Sequence, residues 1–456
     1  MRTTKYPLIL VVLLLWAWSP AFAQTPVVNN QAGQVTEFEV NGLKVILKRR
    51  EAAPTFAGGL FFRGGVLNQT EENAGIENLT LAAATEGGRR FSRQQLRREL
   101  SRMGGAPLAG GGSRDYGVIS FASTTENFTR VWEIFTDVAV EPTFLPADVE
   151  RIRQQMLSGL REAETSPDGA LQTAQERVVY RGHPYSVSPS GTLRTVSGIS
   201  VNDLKEYHRG LMQTSRMLLV VVGDIEPEAL KTKVTASFGK LPRGEYKENE
   251  LPPLDFSEPS VDISPRTIQT NYIQGAFAAP ALSHPDYYAM RVATTILQQL
   301  VYEEVRVKRQ LSYAPNAELD NFSANTGKIY VTAVQANEAV RVMREQIDML
   351  RTRLTNEDFI AGMAGQFLTH YYLDQQTNAA QAAELARYEL IGGGWRRSLD
   401  FLDRMRAVTP QDVQRVSEKY FTNFRFVVIG DPGSVDKKVF LGLEQDPSTK
   451  AAATGR

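Results

Sequence analysis

Residues 200–224 read SVNDLKEYHRGLMQTSRMLLVVVGD, and residues 409–431 read TPQDVQRVSEKYFTNFRFVVIGD. Each stretch begins with a hydroxyl residue followed three positions later by an aspartate, which is typical of the capped start of a helix. Each then reaches a β-branched run that ends in Gly-Asp, which predicts a buried strand. The stretches lie 209 residues apart at the helix start and 207 apart at the glycine. We therefore interpret the chain as one domain that has been duplicated.

Strands alternate with helices in both halves of the chain. This order predicts the α+β class, with two homologous α/β sandwich domains, each a largely antiparallel sheet with helices packed on it. In the first half we expect strands over 40–48, 55–62 and 116–124, helices over 76–84, 127–140 and 148–165, and a helix capped by Ser92. In the second half we expect a strand over 275–279, a helix over 285–302, and strands around Tyr313 and over 329–335.

The segment between the two repeats is polar and rich in proline, which is the composition of an extended linker. This segment sets the expected domain boundaries. We place an amino-terminal domain at 34–244, a linker at 245–265, a carboxy-terminal domain at 266–440 and a flexible tail at 441–456.

The first residues have the pattern of a secretory signal peptide. Arg2 and Lys5 precede an apolar run over 8–18, and small residues follow at 21–23. We expect residues 1–23 to be removed, with cleavage near Ala23-Gln24. An apolar run of about 11 residues is too short for a bilayer, which takes roughly 20, so we expect no stable membrane insertion. The mature chain is expected in an extracytoplasmic space, periplasmic or secreted from a bacterium.

The composition excludes several classes of function. The chain has no cysteine, which excludes disulfides and thiolate metal sites. Its 51 basic and 51 acidic residues are interspersed, so no nucleic-acid partner is expected. The short basic clusters at 48–50 and 89–90 are interpreted as a strand end and a turn. The glycine-rich stretch 104–112 is interpreted as turn chemistry, because it lies between a helix and a strand; the alternative is a mobile loop that contacts substrate. A nucleotide loop is excluded, because no lysine follows the glycines.

A series of short motifs, most of which contain glycine, follows the same order as in a known family. The series comprises Gly64-Gly65, Gly75, Glu86-Gly87-Gly88, Gly104-Gly105-Ala106, Ser113-Arg114-Asp115-Tyr116, His183-Pro184-Tyr185, Gly191 and Val222-Gly223-Asp224. This order resembles the pitrilysin/insulinase family of inverted-motif zinc peptidases, and the likeness covers nearly all of the mature chain. The resemblance implies the family's two-domain body.

Active members of that family carry His-x-x-Glu-His on the helix that follows the glycine, and a further glutamate on a later helix. Two histidines one turn apart bind zinc, and the intervening glutamate activates the zinc-bound water. Counting back from Gly87-Gly88, the resemblance places these roles on Asn78, Leu81 and Ala82. None of the three side chains can perform them, because Leu81 and Ala82 carry no donor atom and an amide is a poor zinc ligand.

The third ligand of the family falls near Glu162, or alternatively Glu164; the alternative interpretation is a solvated helix face. The chain has four histidines, for all of which structural roles are favoured: His183, His208, His284 and His370. No two of them are four residues apart. We therefore expect no metal and no cofactor in this chain.

The carboxy-terminal domain of the family supplies an arginine and a tyrosine that bind the substrate backbone and stabilise the developing oxyanion. Residues 304–313, EVRVKRQLSY, match that segment, and the pair falls on Arg306 and Tyr313, seven positions apart. A guanidinium and a phenol donate hydrogen bonds without losing a proton at neutral pH. The alternative interpretation is the basic end of a helix followed by the start of a strand.

Loss of the zinc ligands together with retention of the oxyanion donors indicates a division of labour between two chains. The resemblance implies the non-metal subunit of a heterodimeric extracytoplasmic zinc peptidase, with Arg306 and Tyr313 acting at the partner's zinc. The expected partner is a homologous chain with an intact His-x-x-Glu-His motif, and the expected substrates are unfolded peptides. The alternative is a catalytically inert structural or peptide-binding member of the family. An independent hydrolase is disfavoured, because the chain has no Gly-x-Ser-x-Gly elbow and no cysteine.

Overall fold

A computed structural model describes residues 34–443 of the chain. The predicted signal peptide at 1–23 and residues 444–456 of the predicted tail lie outside the described residues. The strands are β1 (Val35–Val40), β2 (Leu43–Arg49), β3 (Thr55–Arg63), β4 (Leu108–Gly112), β5 (Tyr116–Thr124), β6 (Met217–Gly223), β7 (Ser260–Pro265), β8 (Asn271–Ala278), β9 (Asn316–Leu319), β10 (Thr326–Ala333) and β11 (Arg425–Gly430).

The helices lie mainly between the strands and after them. They are α1 (Ile76–Ala84), α2 (Arg93–Arg102), α3 (Phe128–Val140), α4 (Pro146–Thr165), α5 (Pro167–Val179), α6 (Leu193–Gly198), α7 (Val201–Leu211), α8 (Pro227–Phe238), α9 (Tyr287–Val301), α10 (Ala336–Thr352), α11 (Glu357–Asp374), α12 (Asn378–Ile391), α13 (Phe401–Arg406), α14 (Pro410–Tyr420) and α15 (Lys437–Leu441). A π-helical turn, Tyr302–Lys308, continues α9. Within residues 34–443, no helix combines the length and apolar character needed to cross a bilayer.

Two sheets form the framework of the molecule. The first has the order β1-β2-β6-β3-β5-β4, and the second has the order β7-β11-β8-β10-β9. Both are largely antiparallel, and each contains one parallel pair, β2 with β6 and β11 with β7. The predicted fold class, two α/β sandwiches from a duplicated domain, is confirmed.

The repeated stretches occupy equivalent places in the two sheets. Strands β6 and β11 both lie inside their sheets, and every residue of β6 is buried. The helices before them, α7 and α14, begin with capping boxes made by Ser200 with Asp203 and by Thr409 with Asp412. The hydroxyl and the carboxylate in each box satisfy amides that the first turn leaves without partners.

Each sheet packs most of its helices on one face and a helix from the other half on the opposite face. In the first half, α1, α3, α7 and α8 enclose the main core, and in the second half α9, α10 and α14 do so. Helix α12 from the second half packs on the first sheet, with Leu385 and Ala386 against Phe61 and Val220. Helix α5 from the first half packs on the second sheet through Leu171 and Val178. The two halves therefore complete each other's cores.

Three local predictions need correction. Residues 108–112, interpreted as part of a turn, form edge strand β4, antiparallel to β5. Tyr313 lies in the loop before β9, not in a strand. Residues 260–265, assigned by composition to the linker, form β7, which pairs with β11. For residues 108–112 and 260–265, a neighbouring strand supplies backbone hydrogen bonds that the local sequence does not reveal. Tyr313 has no such neighbouring strand among the described residues.

Candidate functional site

Helix α1 lies directly over the edge strand of the first sheet. A side chain on Gly110 would place its Cβ 2.0 Å from the carbonyl oxygen of Leu81, so only glycine permits this approach. Gly112 also lies close to α1, although less so, with 3.2 Å between an added Cβ and the Asn78 nitrogen. The glycine-rich composition of β4 therefore allows the helix that carries the degenerate motif to contact the strand.

The three motif positions on α1 are occupied by groups that serve packing. Asn78 is half-buried, and its Oδ1 accepts a hydrogen bond from the backbone N–H of Gly112 at 3.3 Å. Leu81 is fully buried and is part of the first core, and Ala82 packs against that core. Glu162 is exposed on α4, and its carboxylate makes no hydrogen bond or ion pair with other described residues. Within residues 34–443, no cluster of three side chains suited to a metal ion is found.

A buried ionisable group adjoins the degenerate motif. Glu77 is completely buried; its Oε2 accepts a hydrogen bond from the Tyr207 hydroxyl at 2.7 Å and lies 3.4 Å from Nη2 of Arg216. Its Oε1 has no hydrogen-bond partner among the described residues. Burial raises the pKa of the Glu77 carboxyl to about 7, although Arg216 and Tyr207 oppose the rise. The pattern of α1 gives one signal of this group, a single charge within an otherwise apolar helix.

Some backbone hydrogen-bonding groups of strand β4 have no partner among the described residues. The Ser113 N–H donates to the Tyr116 carbonyl, and the Ala122 N–H donates to the Pro107 carbonyl. These two hydrogen bonds show which residues of β4 bond to β5, because bonded and non-bonded residues alternate along an antiparallel pair. The backbone groups of residues 108, 110 and 112 therefore point away from β5. The Asn78 side chain accepts a hydrogen bond from the N–H of residue 112. The N–H groups of residues 108 and 110 have no hydrogen-bond partner among the described residues. The second sheet differs, because Gln298 on α9 bonds the outward N–H of Ala317 in edge strand β9 at 2.5 Å.

Arg306 and Tyr313 come together at the surface of the second half. Arg306 is the fifth residue of the π-helical turn, and the chain then reverses at Gln310, which has a φ of +53°. The guanidinium of Arg306 lies 4.0 Å from the centre of the Tyr313 ring, and Nη1 donates to the Tyr313 carbonyl at 2.6 Å. The Tyr313 side chain is 78 % exposed, and its hydroxyl has no partner among the described residues. The pair is thus assembled and open to solvent.

The Arg114-Asp115 pair, which carries part of the resemblance, is buried and ties the halves together. Arg114 donates to the Tyr185 carbonyl at 2.6 Å and forms an ion pair with Glu176 on α5 at 2.8 Å. Asp115 accepts hydrogen bonds from the Tyr185 hydroxyl and from the backbone N–H of Ser323 in the second half. Burial raises the pKa of the Asp115 carboxyl. These contacts give the motif a role in assembly.

The histidines make local contacts and do not converge. His183 Nε2 lies 2.9 Å from the carbonyl of Pro252, and His208 Nε2 lies 2.9 Å from that of Ala139. The Asp286 amide donates to Nδ1 of His284 at 3.0 Å. Each imidazole therefore stabilises a turn or a helix contact.

The fold defines the class of the chain: a body of two α/β sandwiches, in which α1 has Asn78, Leu81 and Ala82 at the positions where the sequence resemblance places the zinc motif. Residues 44–192 match the family model described as insulinase (peptidase family M16), and residues 198–365 match the one described as peptidase M16 inactive domain. The chain belongs to this family.

Curated relatives of the chain are subunits of larger assemblies. Mitochondrial-processing peptidase subunit beta of Bos taurus is 25% identical over 272 residues, which cover 59% of this chain and 55% of that protein. Cytochrome b-c1 complex subunit 1 of Bos taurus is 24% identical over 267 residues, which cover 58% of this chain and 55% of that protein. The match thus spans little more than half the length of these relatives.

Solved structures of similar fold include non-catalytic and periplasmic proteins. The peptidase M16 inactive domain from Pseudomonas fluorescens has a TM-score of 0.80 at 19% identity, over 87% of this chain and 98% of that one. The first half of the periplasmic protease PqqL from Escherichia coli has a TM-score of 0.73 at 15% identity, over 93% of this chain and 97% of that one. At these identities the likeness shows the fold.

Proposed function

We propose that this chain is the non-metal subunit of a heterodimeric, extracytoplasmic zinc peptidase. In this proposal Arg306 and Tyr313 bind the substrate backbone and stabilise the oxyanion at the zinc site of a homologous partner chain. The observation that carries it is the assembled, exposed Arg306–Tyr313 pair in a chain that has Asn78, Leu81 and Ala82 at the positions of the zinc motif. A donor pair can serve a second chain only where that chain can reach it, and the exposure of Tyr313 satisfies this condition.

The chemistry requires fixed donors at the place where negative charge develops. The π-helical turn holds Arg306, and the ring stacking at 4.0 Å orients Tyr313. The guanidinium has further N–H donors besides the one used by the Tyr313 carbonyl, and the phenol hydroxyl is free to donate. Zinc, activated water and general base would all come from the partner. The extracytoplasmic setting in the proposal rests on the signal-peptide pattern of residues 1–23.

A co-purification assay tests this proposal. The chain is purified alone and together with a homologue carrying an intact His-x-x-Glu-His motif, and cleavage of an unstructured peptide is measured with and without chelator. We expect cleavage by the pair only, zinc in the partner only, and a loss of kcat of about 10²–10³-fold for Arg306→Ala or Tyr313→Phe. Arg309→Ala is the matched control, because Arg309 lies on the same segment but pairs with Glu304.

Two results would contradict the proposal. Peptide cleavage by the chain alone would show that it needs no partner. An Arg306→Ala complex with the rate of the unmodified complex would show that the pair does not act in trans.

A structural or peptide-binding role is the second candidate, and the open edge of β4 favours the peptide-binding form. An extended peptide adds to such an edge through main-chain hydrogen bonds with any sequence. If this second candidate is right, variants of Arg306 and Tyr313 bind peptides as well as the unmodified chain does. Blocking the edge of β4 then removes peptide binding.

A further inference from the structure

A cavity of about 660 Å³ lies where the rim of the first sheet meets the start of α12. Its walls are residues 50–57 from the β2–β3 loop and β3, 103–107 leading into β4, 122–124 at the end of β5, and 376–379 at the start of α12. Both halves of the chain contribute, so the cavity requires the assembled molecule. The open edge of β4 begins at residue 108, immediately after one wall.

Arg50 is held in this cavity by a neutral partner. Its Nη1 donates to Oδ1 of Asn378, which is 4 % exposed. The Asn378 amide is fixed in turn, because its Nδ2 donates to the carbonyl and the hydroxyl of Thr55 at 2.6 and 3.1 Å. No carboxylate of the described residues pairs with the Arg50 guanidinium. The cation is therefore positioned but not neutralised.

The neighbouring arginine shows the opposite arrangement. Arg49 pairs with Asp224 at 3.2 Å and with Glu226 at 2.6 Å. Asp224 and Glu226 thus neutralise Arg49. Glu51 lines the cavity beside Arg50, but its carboxylate makes no ion pair with the Arg50 guanidinium among the described residues, so this guanidinium remains available to a ligand.

We propose that this cavity is a binding subsite for a carboxylate carried by an extended polypeptide, with Arg50 as the group that binds it. The carboxylate is either the chain terminus or an acidic side chain. A polypeptide lying along the edge of β4 reaches the cavity past residues 106 and 107, and Arg50 forms a charge-assisted hydrogen bond with it. Binding at this subsite requires neither a partner chain nor hydrolysis. The subsite can therefore be tested independently of the role proposed for Arg306 and Tyr313.

Fluorescence anisotropy with the purified chain tests the subsite. Four labelled, unstructured peptides without other charges are compared: one with a free carboxyl terminus, the same peptide amidated, an amidated peptide with one internal glutamate, and its glutamine counterpart. We expect at least one carboxylate-bearing peptide to bind roughly tenfold tighter than its neutral counterpart. The peptide that does so identifies the source of the carboxylate. Arg50→Gln removes the difference, and the matched control Arg49→Gln retains it.

Equal affinity for charged and neutral peptides, or an unchanged preference in Arg50→Gln, would overturn the subsite. A measurement on the unmodified chain covers the case in which Arg50→Gln fails to fold. Glutarate must then displace the carboxylate peptide, and the neutral diamide of glutarate must not. Displacement by both compounds, or by neither, also overturns the proposal.

Discussion

Glu77 is a buried acid in α1, the helix on which the sequence resemblance places the zinc motif. It lies one residue before Asn78, and the unpartnered Oε1 is 2.7 Å from where a Cβ of Gly117 would stand. The Glu77 side chain is completely buried. The carboxylate form is therefore disfavoured in the fold, which makes the stability of the protein depend on pH.

The raised pKa of Glu77 predicts the direction of that dependence. The folded chain holds the proton up to about pH 7, whereas an unfolded glutamate loses it near 4.5. The folded state thus binds more protons between these values, and the free energy of unfolding falls as pH rises from about 4.5 to 7. We expect Glu77→Gln to match the unmodified chain at pH 5 and to be more stable at pH 8, by up to about 3 kcal/mol. Urea unfolding at several pH values measures this difference.

Glu162→Gln provides the control for that experiment, because Glu162 is exposed. Its substitution should leave the pH dependence of stability unchanged. A Glu77→Gln profile parallel to that of the unmodified chain would show that Glu77 does not titrate as its burial implies.

Strand β4 shows how a tertiary contact selects a local sequence. Glycine is rare in strands because it packs no side chain. Here three consecutive glycines, residues 110–112, let α1 approach the strand so closely that residue 110 has no room for a methyl group. The composition alone favours a turn, and the packing of α1 makes the segment a strand.

The contact between β4 and α1 predicts that Gly110→Ala is destabilising. The added methyl group would lie 2.0 Å from the Leu81 carbonyl oxygen, so the strand and the helix must separate. We expect the free energy of unfolding to fall by about 1–3 kcal/mol, measured by chemical denaturation. Gly111→Ala is the matched control, because the nearest atom to its added Cβ is the Asn78 Oδ1 at 3.4 Å. Equal effects of the two substitutions would contradict this account.

At the scale of the whole molecule, the exchange of α5 and α12 makes the two halves interdependent. Each sheet has a face that its own half leaves uncovered, and burial of that face requires the other half. The ion pair of buried Arg114 with half-buried Glu176 holds α5 in place, and the Asp115–Ser323 hydrogen bond joins the two halves directly. The Arg50 cavity exists because the start of α12 is held there.

This interdependence predicts a long-range effect of Leu385→Ala. Leu385 belongs to the second half, but it packs on the first sheet and is 3 % exposed. Removing it should cost about 2–5 kcal/mol and should lower the hydrogen-exchange protection of β3 and β6 in the first half. Leu354→Ala, at a site that is 57 % exposed, should change neither. A loss of protection confined to the second half would show that the halves fold independently.

The sequence by itself determined the duplication, the sandwich class and the absence of a zinc motif, because these depend on residue type and spacing along the chain. The capping boxes at Ser200 and Thr409 and the helix at 76–84 are local signals of this kind, and they were predicted correctly. The sequence placed Arg306 and Tyr313 in one site only through the resemblance to the family, since seven extended residues can separate two side chains by roughly 23 Å.

Only the tertiary structure decided where Asn78 directs its amide, that residues 108–112 pair as a strand, and that Glu77 is buried. It alone brought Arg50 to Asn378, residues that lie 328 positions apart. These features depend on contacts between distant segments, and such contacts are fixed by the packing of whole sheets and helices, for which the local sequence carries no pattern.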